Sequence, residues 1–158
     1  MHKAVPMLCA VSTIMLLAAT VRAQSTGDVD LVRHGRYLVQ TAGCNDCHTP
    51  GYAAAEGQVD EKLWLTGDKV GWSGPWGTTY ASNLRLFIGK HTEDSWLRTA
   101  RSFKPRPPMP WFNLHAMNER DLRALYRYIK SIGPAGEPAP EYLPPGRKPD
   151  GPAIQFPG

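Results

Sequence analysis

Cys44-Asn45-Asp46-Cys47-His48 is the stretch on which the reading of this chain turns. Two thiols separated by two residues and followed at once by an imidazole form the pattern of a covalent haem attachment site. The spacing has a chemical cause. Each thiol adds across one vinyl group of the porphyrin, and two intervening residues match the distance between the vinyls in a compact turn. The adjacent imidazole then reaches the iron as proximal ligand. Cys-x-x-Cys alone also suits a redox disulfide or half of a zinc site. The first would sit in a βαβ pattern and the second would need another Cys or His pair. Neither is found in the sequence, and His48 favours haem.

Working outward, the N-terminal stretch supports the same reading. His2 and Lys3 precede an almost wholly apolar run from Ala4 to Thr20, and Val21-Arg22-Ala23 offers small residues for a signal peptidase. This predicts a signal peptide over 1–23, cleaved after Ala23, and a protein exported to the periplasm. The alternative is a retained anchor, but the run is near the lower limit for a span and contains Pro6, Ser12 and Thr13. Cleavage removes Cys9, so both remaining cysteines belong to the haem motif. With one such motif, one haem c is expected. The 135 residues left suit a single domain, and their net charge is +2. No basic run with interleaved aromatics suggests a nucleic-acid partner, and no stable membrane insertion is expected after cleavage.

The rest of the chain reads as a helical core with long loops. A first helix is predicted from Val29 to Ala42, capped by Asp28, with Leu31, Val32, Tyr37, Leu38 and Val39 as apolar contacts and Gly43 as its stop. Gly35 inside it costs about 1 kcal/mol relative to alanine, which a close helix crossing would explain. Thr49 to Asn83 has little periodicity but many glycines and aromatics, as expected of a segment wrapping a large flat cofactor. A second helix is predicted from a Thr92 cap to about Ser102, and a third from Asn118, with Leu122, Leu125, Tyr126 and Ile129 on one face and Gly133-Pro134 as its end. The last 26 residues hold eight prolines, but also Tyr142, Leu143, Ile154 and Phe156, so an extended segment laid on the domain is expected.

The sixth iron ligand decides what such a site does. A protein thioether closes the iron and favours the ferrous state, whereas an open site suits gas binding or catalysis. Met109, in Arg106-Pro107-Pro108-Met109-Pro110-Trp111, is the candidate. Flanking prolines fix the backbone and lower the entropy of holding the sulfur. Met117 is the rival, read as a contact at the entry of the last helix. His34, His91 and His115 read as surface residues.

Four stretches resemble the monohaem class I cytochrome c family, and especially the cytochromes that serve periplasmic dehydrogenases. They are Gly35-Arg36-Tyr37-Leu38 before the haem motif, Gly77-Thr78-Thr79-Tyr80-Ala81-Ser82-Asn83-Leu84, Pro108-Met109-Pro110-Trp111, and Asp121 to Ile129. After the Asn-Leu pair the family usually continues Thr-Pro-Asp, where this chain reads Arg85-Leu86-Phe87. The resemblance implies an all-α cytochrome c fold with long haem-wrapping loops over 24–133, followed by a proline-rich tail over 134–158. It implies first and last helices crossing at Gly35 and the Tyr126 face. It implies Cys44, Cys47, His48 and Met109 as cofactor-binding residues, His48 and Met109 as the iron ligands, and Asn83 or Tyr80 ordering a loop beneath the propionates. The function implied is electron transfer without catalysis of its own, from a dehydrogenase donor to an oxidase or cytochrome acceptor. The alternative is a haem-based sensor or catalytic haem subunit with an open sixth site. Arg98, Arg101, Lys104, Arg106 and Arg120 lie close in sequence to Met109 and suggest a basic face that steers an acidic partner.

Overall fold

In the computed structural model, which describes residues 27–157, helix α1 occupies residues 27–41 and meets α2, Cys44–His48, after a two-residue turn. The predicted signal segment lies outside the described residues. Four further helices follow: α3 Leu84–Gly89, α4 Glu93–Ser102, α5 Trp111–Ala116 and α6 Glu119–Ser131. The expectation of a helical domain holds. Among the described residues no helix is long and apolar enough to cross a membrane.

The predicted caps of the two downstream helices are present. Thr92 Oγ1 accepts from the Ser95 amide at 3.2 Å, and Asn118 Oδ1 accepts from the Asp121 amide at 2.9 Å. Asp28 is not a cap, because the helix already includes it, and its carboxylate pairs with Arg127 of α6 instead. Val39 of α1, Trp96, Leu97 and Ala100 of α4, and Leu122, Leu125, Tyr128 and Ile129 of α6 share one core with Trp64, Leu65 and Ile88. Each large apolar side chain buried there contributes about 1.5–3 kcal/mol. Tyr37, expected in this core, is instead 58% exposed.

Gly35 makes the α1–α6 crossing possible. A Cβ at this position would stand 2.0 Å from the Ala124 carbonyl oxygen and 2.7 Å from Tyr128 Cβ. The crossing therefore uses the Ala124 and Tyr128 face, not that of Tyr126. Residue 126 is two positions from each, on the opposite side of the helix, where its hydroxyl donates to the His91 carbonyl at 2.9 Å. Helix α6 is also tied to α4 by charge. Arg123 and Arg127 of α6 converge on Glu93 of α4, with N–O distances of 2.7 and 3.1 Å.

The long segment between α2 and α3 holds a helical turn, Glu61–Leu63, and a hairpin of β1, Gly71–Gly74, and β2, Gly77–Tyr80. The proline-rich tail returns to this hairpin. Its strand β3, Ala153–Gln155, pairs with β1 in parallel, giving a sheet in the order β2-β1-β3. Phe156 packs between Trp72 and Trp76, with ring centroids 5.9 and 5.4 Å away. This small sheet is an addition to the helical fold that the residue pattern did not indicate.

Candidate functional site

Helix α2 is only five residues long, and its two faces do different jobs. Asn45 faces inward with Thr49, four residues on; both are fully or almost fully buried. Thr49 Oγ1 donates to Asn45 Oδ1 at 2.8 Å and accepts the Leu65 amide at 2.8 Å. Cys44 and Cys47, three residues apart, share the other face, half-buried and unlinked to any disulfide. Burial and, next, the Asp46 carboxylate push the Cys44 thiol up to about 11, and the same two causes raise Cys47. Both thiols are therefore neutral.

His48 is 8% exposed, and its Nδ1 donates to the Ser82 carbonyl at 2.7 Å. That bond sets the tautomer. The proton stays on Nδ1 and the lone pair available to a metal is on Nε2. Burial holds the imidazole below its ordinary pKa, against a smaller opposing effect of the Ser82 bond, so it is neutral as a ligand must be.

The Ser82 carbonyl is placed by a tight backbone weave. The Gly67 amide donates to the His48 carbonyl at 2.8 Å, the Asp68 amide to Ala81 at 3.0 Å and the Leu84 amide to Leu65 at 2.9 Å. Gly67 has φ +82, and a Cβ there would meet the Asn83 nitrogen at 2.8 Å, so only glycine fits. Leu65 beside it holds φ 60 without being glycine, a conformation that costs about 1 kcal/mol or more and is kept because its neighbours fix it.

Met109 lies half-buried in the irregular segment between α4 and α5. Thr79 Oγ1 of β2 donates to the Pro107 carbonyl at 2.7 Å, and the Arg106 guanidinium stacks 3.8 Å over Tyr142 of the tail. Met117 ends α5 and packs against the helical core, as Met109 does not. The other histidines are engaged elsewhere. His34 Nε2 is 2.7 Å from Asp121, His91 Nδ1 is 3.1 Å from Ser95 Oγ, and His115 Nε2 is 3.1 Å from the Phe103 carbonyl.

The residues at hand fit a covalently held porphyrin better than a bare metal ion. Among the described residues no three His, Cys, Asp or Glu side chains converge as a metal site requires. Two neutral thiols on one face and an imidazole with its Nε2 lone pair available match three separate bonds: two thioethers and one axial ligand. Ser82 and Thr79 were not singled out from sequence. They lie in the Gly77–Leu84 stretch that carried the resemblance, which is the signal that pointed towards them. Asn83 in that stretch is 4% exposed. It caps α3 through the Leu86 amide and donates to the carbonyls of Ala135 and Glu137 at 2.8 and 3.1 Å, fastening the start of the tail.

A model of the cytochrome c family matches residues 32–133. The chain is also similar to the cytochrome subunit of fructose dehydrogenase from Gluconobacter japonicus, at 30% identity over 150 residues, covering 84% of this chain and 29% of that subunit. It thus spans under a third of that relative's length. No solved structure matches it. The family match over the helices, the haem motif and the Met109 segment establishes that the chain belongs to the cytochrome c family, a class I cytochrome with covalently bound haem c.

Proposed function

We propose that this chain is a periplasmic electron carrier with one haem c, bonded through Cys44 and Cys47 and ligated by His48 and Met109. It takes single electrons from a dehydrogenase and passes them to an oxidase or another cytochrome, with no catalysis of its own. Haem c, when bound, supplies the reversible ferric–ferrous couple. The chain's own residues position it and limit what else reaches the iron. The observation that carries the reading is the His48–Ser82 bond beside two unlinked thiols. The dehydrogenase donor rests on the printed name of the relative from Gluconobacter japonicus.

Part of the basic surface is already committed within the chain. Arg123 and Arg127 hold Glu93, and Arg101 lies 3.6 Å from Glu119. Arg98, Lys104, Arg106 and Arg120 remain exposed around the Met109 segment and the start of α6. They supply the field that attracts an acidic partner, so the rate of reduction by that partner falls as salt is added. A salt-independent rate would remove the steering role.

Carbon monoxide tests the carrier reading. The reduced protein is expected not to respond to the gas, because the sixth position is filled by the chain, and to titrate as a one-electron couple. A spectrum that shifts on adding carbon monoxide would move the assignment to a sensor or a catalytic haem.

A further inference from the structure

The tail lies beyond the residues that the family model matches, yet it is bound along its length to the parts of the chain that flank the site. The two residues before it are gripped by Arg85, 7% exposed, whose guanidinium donates to the carbonyls of Ile132 and Gly133, and its beginning is held by Asn83 at the Ala135 carbonyl. Its middle zips onto β2, with the Leu143 amide and carbonyl bonded to Thr78 at 3.0 and 2.8 Å. The Tyr142 hydroxyl donates to the Trp76 carbonyl at 2.8 Å. Its end forms β3 against β1.

Strand β2 and the residues directly after it reach both candidate axial ligands. Thr79 holds the Pro107 carbonyl, two residues from Met109, and Ser82, three residues further along the chain, holds His48. Tyr142 adds a second hold on the same loop by stacking under Arg106. Met109 is only half-buried and outside the helical core, and the far end of its loop is held separately, at Phe103, by His115 and Phe87.

We propose that residues 134–157 are a strap that braces the Met109 loop, with Thr79 and Tyr142 as positioning residues for the distal ligand. Thr79 acts through the Pro107 carbonyl and Tyr142 through Arg106. The proposal rests on Met109 being that ligand. Loosening the strap lets the sulfur leave the iron more often, so an external ligand competes better for the sixth position while His48 stays bound.

The test uses the exported holoprotein and imidazole as the external ligand to the oxidised form. Met109→Ala is measured first and is expected to abolish the thioether–iron charge-transfer band. Thr79→Val and Tyr142→Ala are then expected to raise imidazole affinity roughly five- to tenfold, the size expected when one hydrogen bond or stack is lost. Thr79→Ser keeps the hydroxyl and should restore the parent's affinity. Ile129→Val lowers stability in the core, away from the loop, and should leave affinity unchanged. If Met109→Ala loses the band but Thr79→Val and Tyr142→Ala bind imidazole as the parent does, the strap is overturned and the ligand assignment stands. If Ile129→Val raises affinity as much as they do, general loosening explains the effect and the strap is again overturned. Should Met109→Ala keep the band, the ligand assignment itself fails and the strap with it.

Discussion

His48 and Met109 are secured in unlike ways. His48 is buried, is the last residue of α2, and has its ring fixed by a carbonyl within the weave of Leu65–Asp68 against Ala81–Leu84. Met109 is half-buried in a loop and is steadied from outside, through Thr79 and Arg106, by a sheet whose third strand comes from the tail. The first is held by the same packing that folds the domain. The second is held by an accessory that sits on it. A ligand of the first kind is lost only with the fold, whereas one of the second kind is adjustable by changes that leave the fold intact.

The sharpest way to break this contrast is at the histidine. His48→Ala is expected to yield no low-spin cytochrome at all on expression with the haem attachment machinery, read by absorption of the exported protein. A normal low-spin spectrum would show that another residue serves the proximal side.

Next in size is the crossing that supports that side. Gly35→Ala adds a Cβ 2.0 Å from a backbone oxygen, so α1 and α6 must separate. The cost is about 3 kcal/mol, against about 1 kcal/mol regained from alanine's helix propensity. Denaturant unfolding of the holoprotein checks it, and an unchanged midpoint would mean that the crossing is looser than described.

Met117 sharpens the comparison from the other direction. Met117→Ala is expected to lower stability by about 1–2 kcal/mol, because its side chain packs on the core, and to leave the thioether–iron band unchanged. Loss of the band would exchange the roles of the two methionines.

The smallest expected effect concerns the Glu93 clamp. Burial disfavours the charged carboxylate, but the hydrogen bonds and charges of Arg123 and Arg127 outweigh it and hold Glu93 below the usual carboxylate range. A depressed folded pKa contributes stability that is present above the unfolded value, about 4.3, and is lost as pH falls through the folded value. Glu93→Gln should therefore cost about 1 kcal/mol at neutral pH, with the gap to the parent closing in acid. A gap that stays constant with pH would assign the effect to packing instead of charge.

Much of this was legible in the residues because the signals were local. The haem motif is five consecutive positions, the Thr92 and Asn118 caps act within three residues, and Gly133-Pro134 ends α6 close to where the pattern stops. Gly35 signalled a close crossing by being a glycine inside a helix, although which face of α6 it met was not readable. The rest depended on distant partners. Trp72 of β1 pairs with Ile154 of β3, more than eighty residues on, and strands of three or four residues carry too little periodicity to be seen. The clamp of Arg123 and Arg127 on Glu93 joins residues 30 and 34 positions apart, which no local pattern announces. Ser82 was hidden for another reason: its backbone carbonyl, not its side chain, holds His48.

The measurement that bears most directly on the account is the spectrum of the oxidised holoprotein beside that of Met109→Ala. The parent should show a thioether–iron charge-transfer band, and Met109→Ala should lose it while keeping haem covalently attached. A band that survives in Met109→Ala, or is absent from the parent, would contradict the assignment of Met109 and with it the reading of this chain as a closed-site electron carrier.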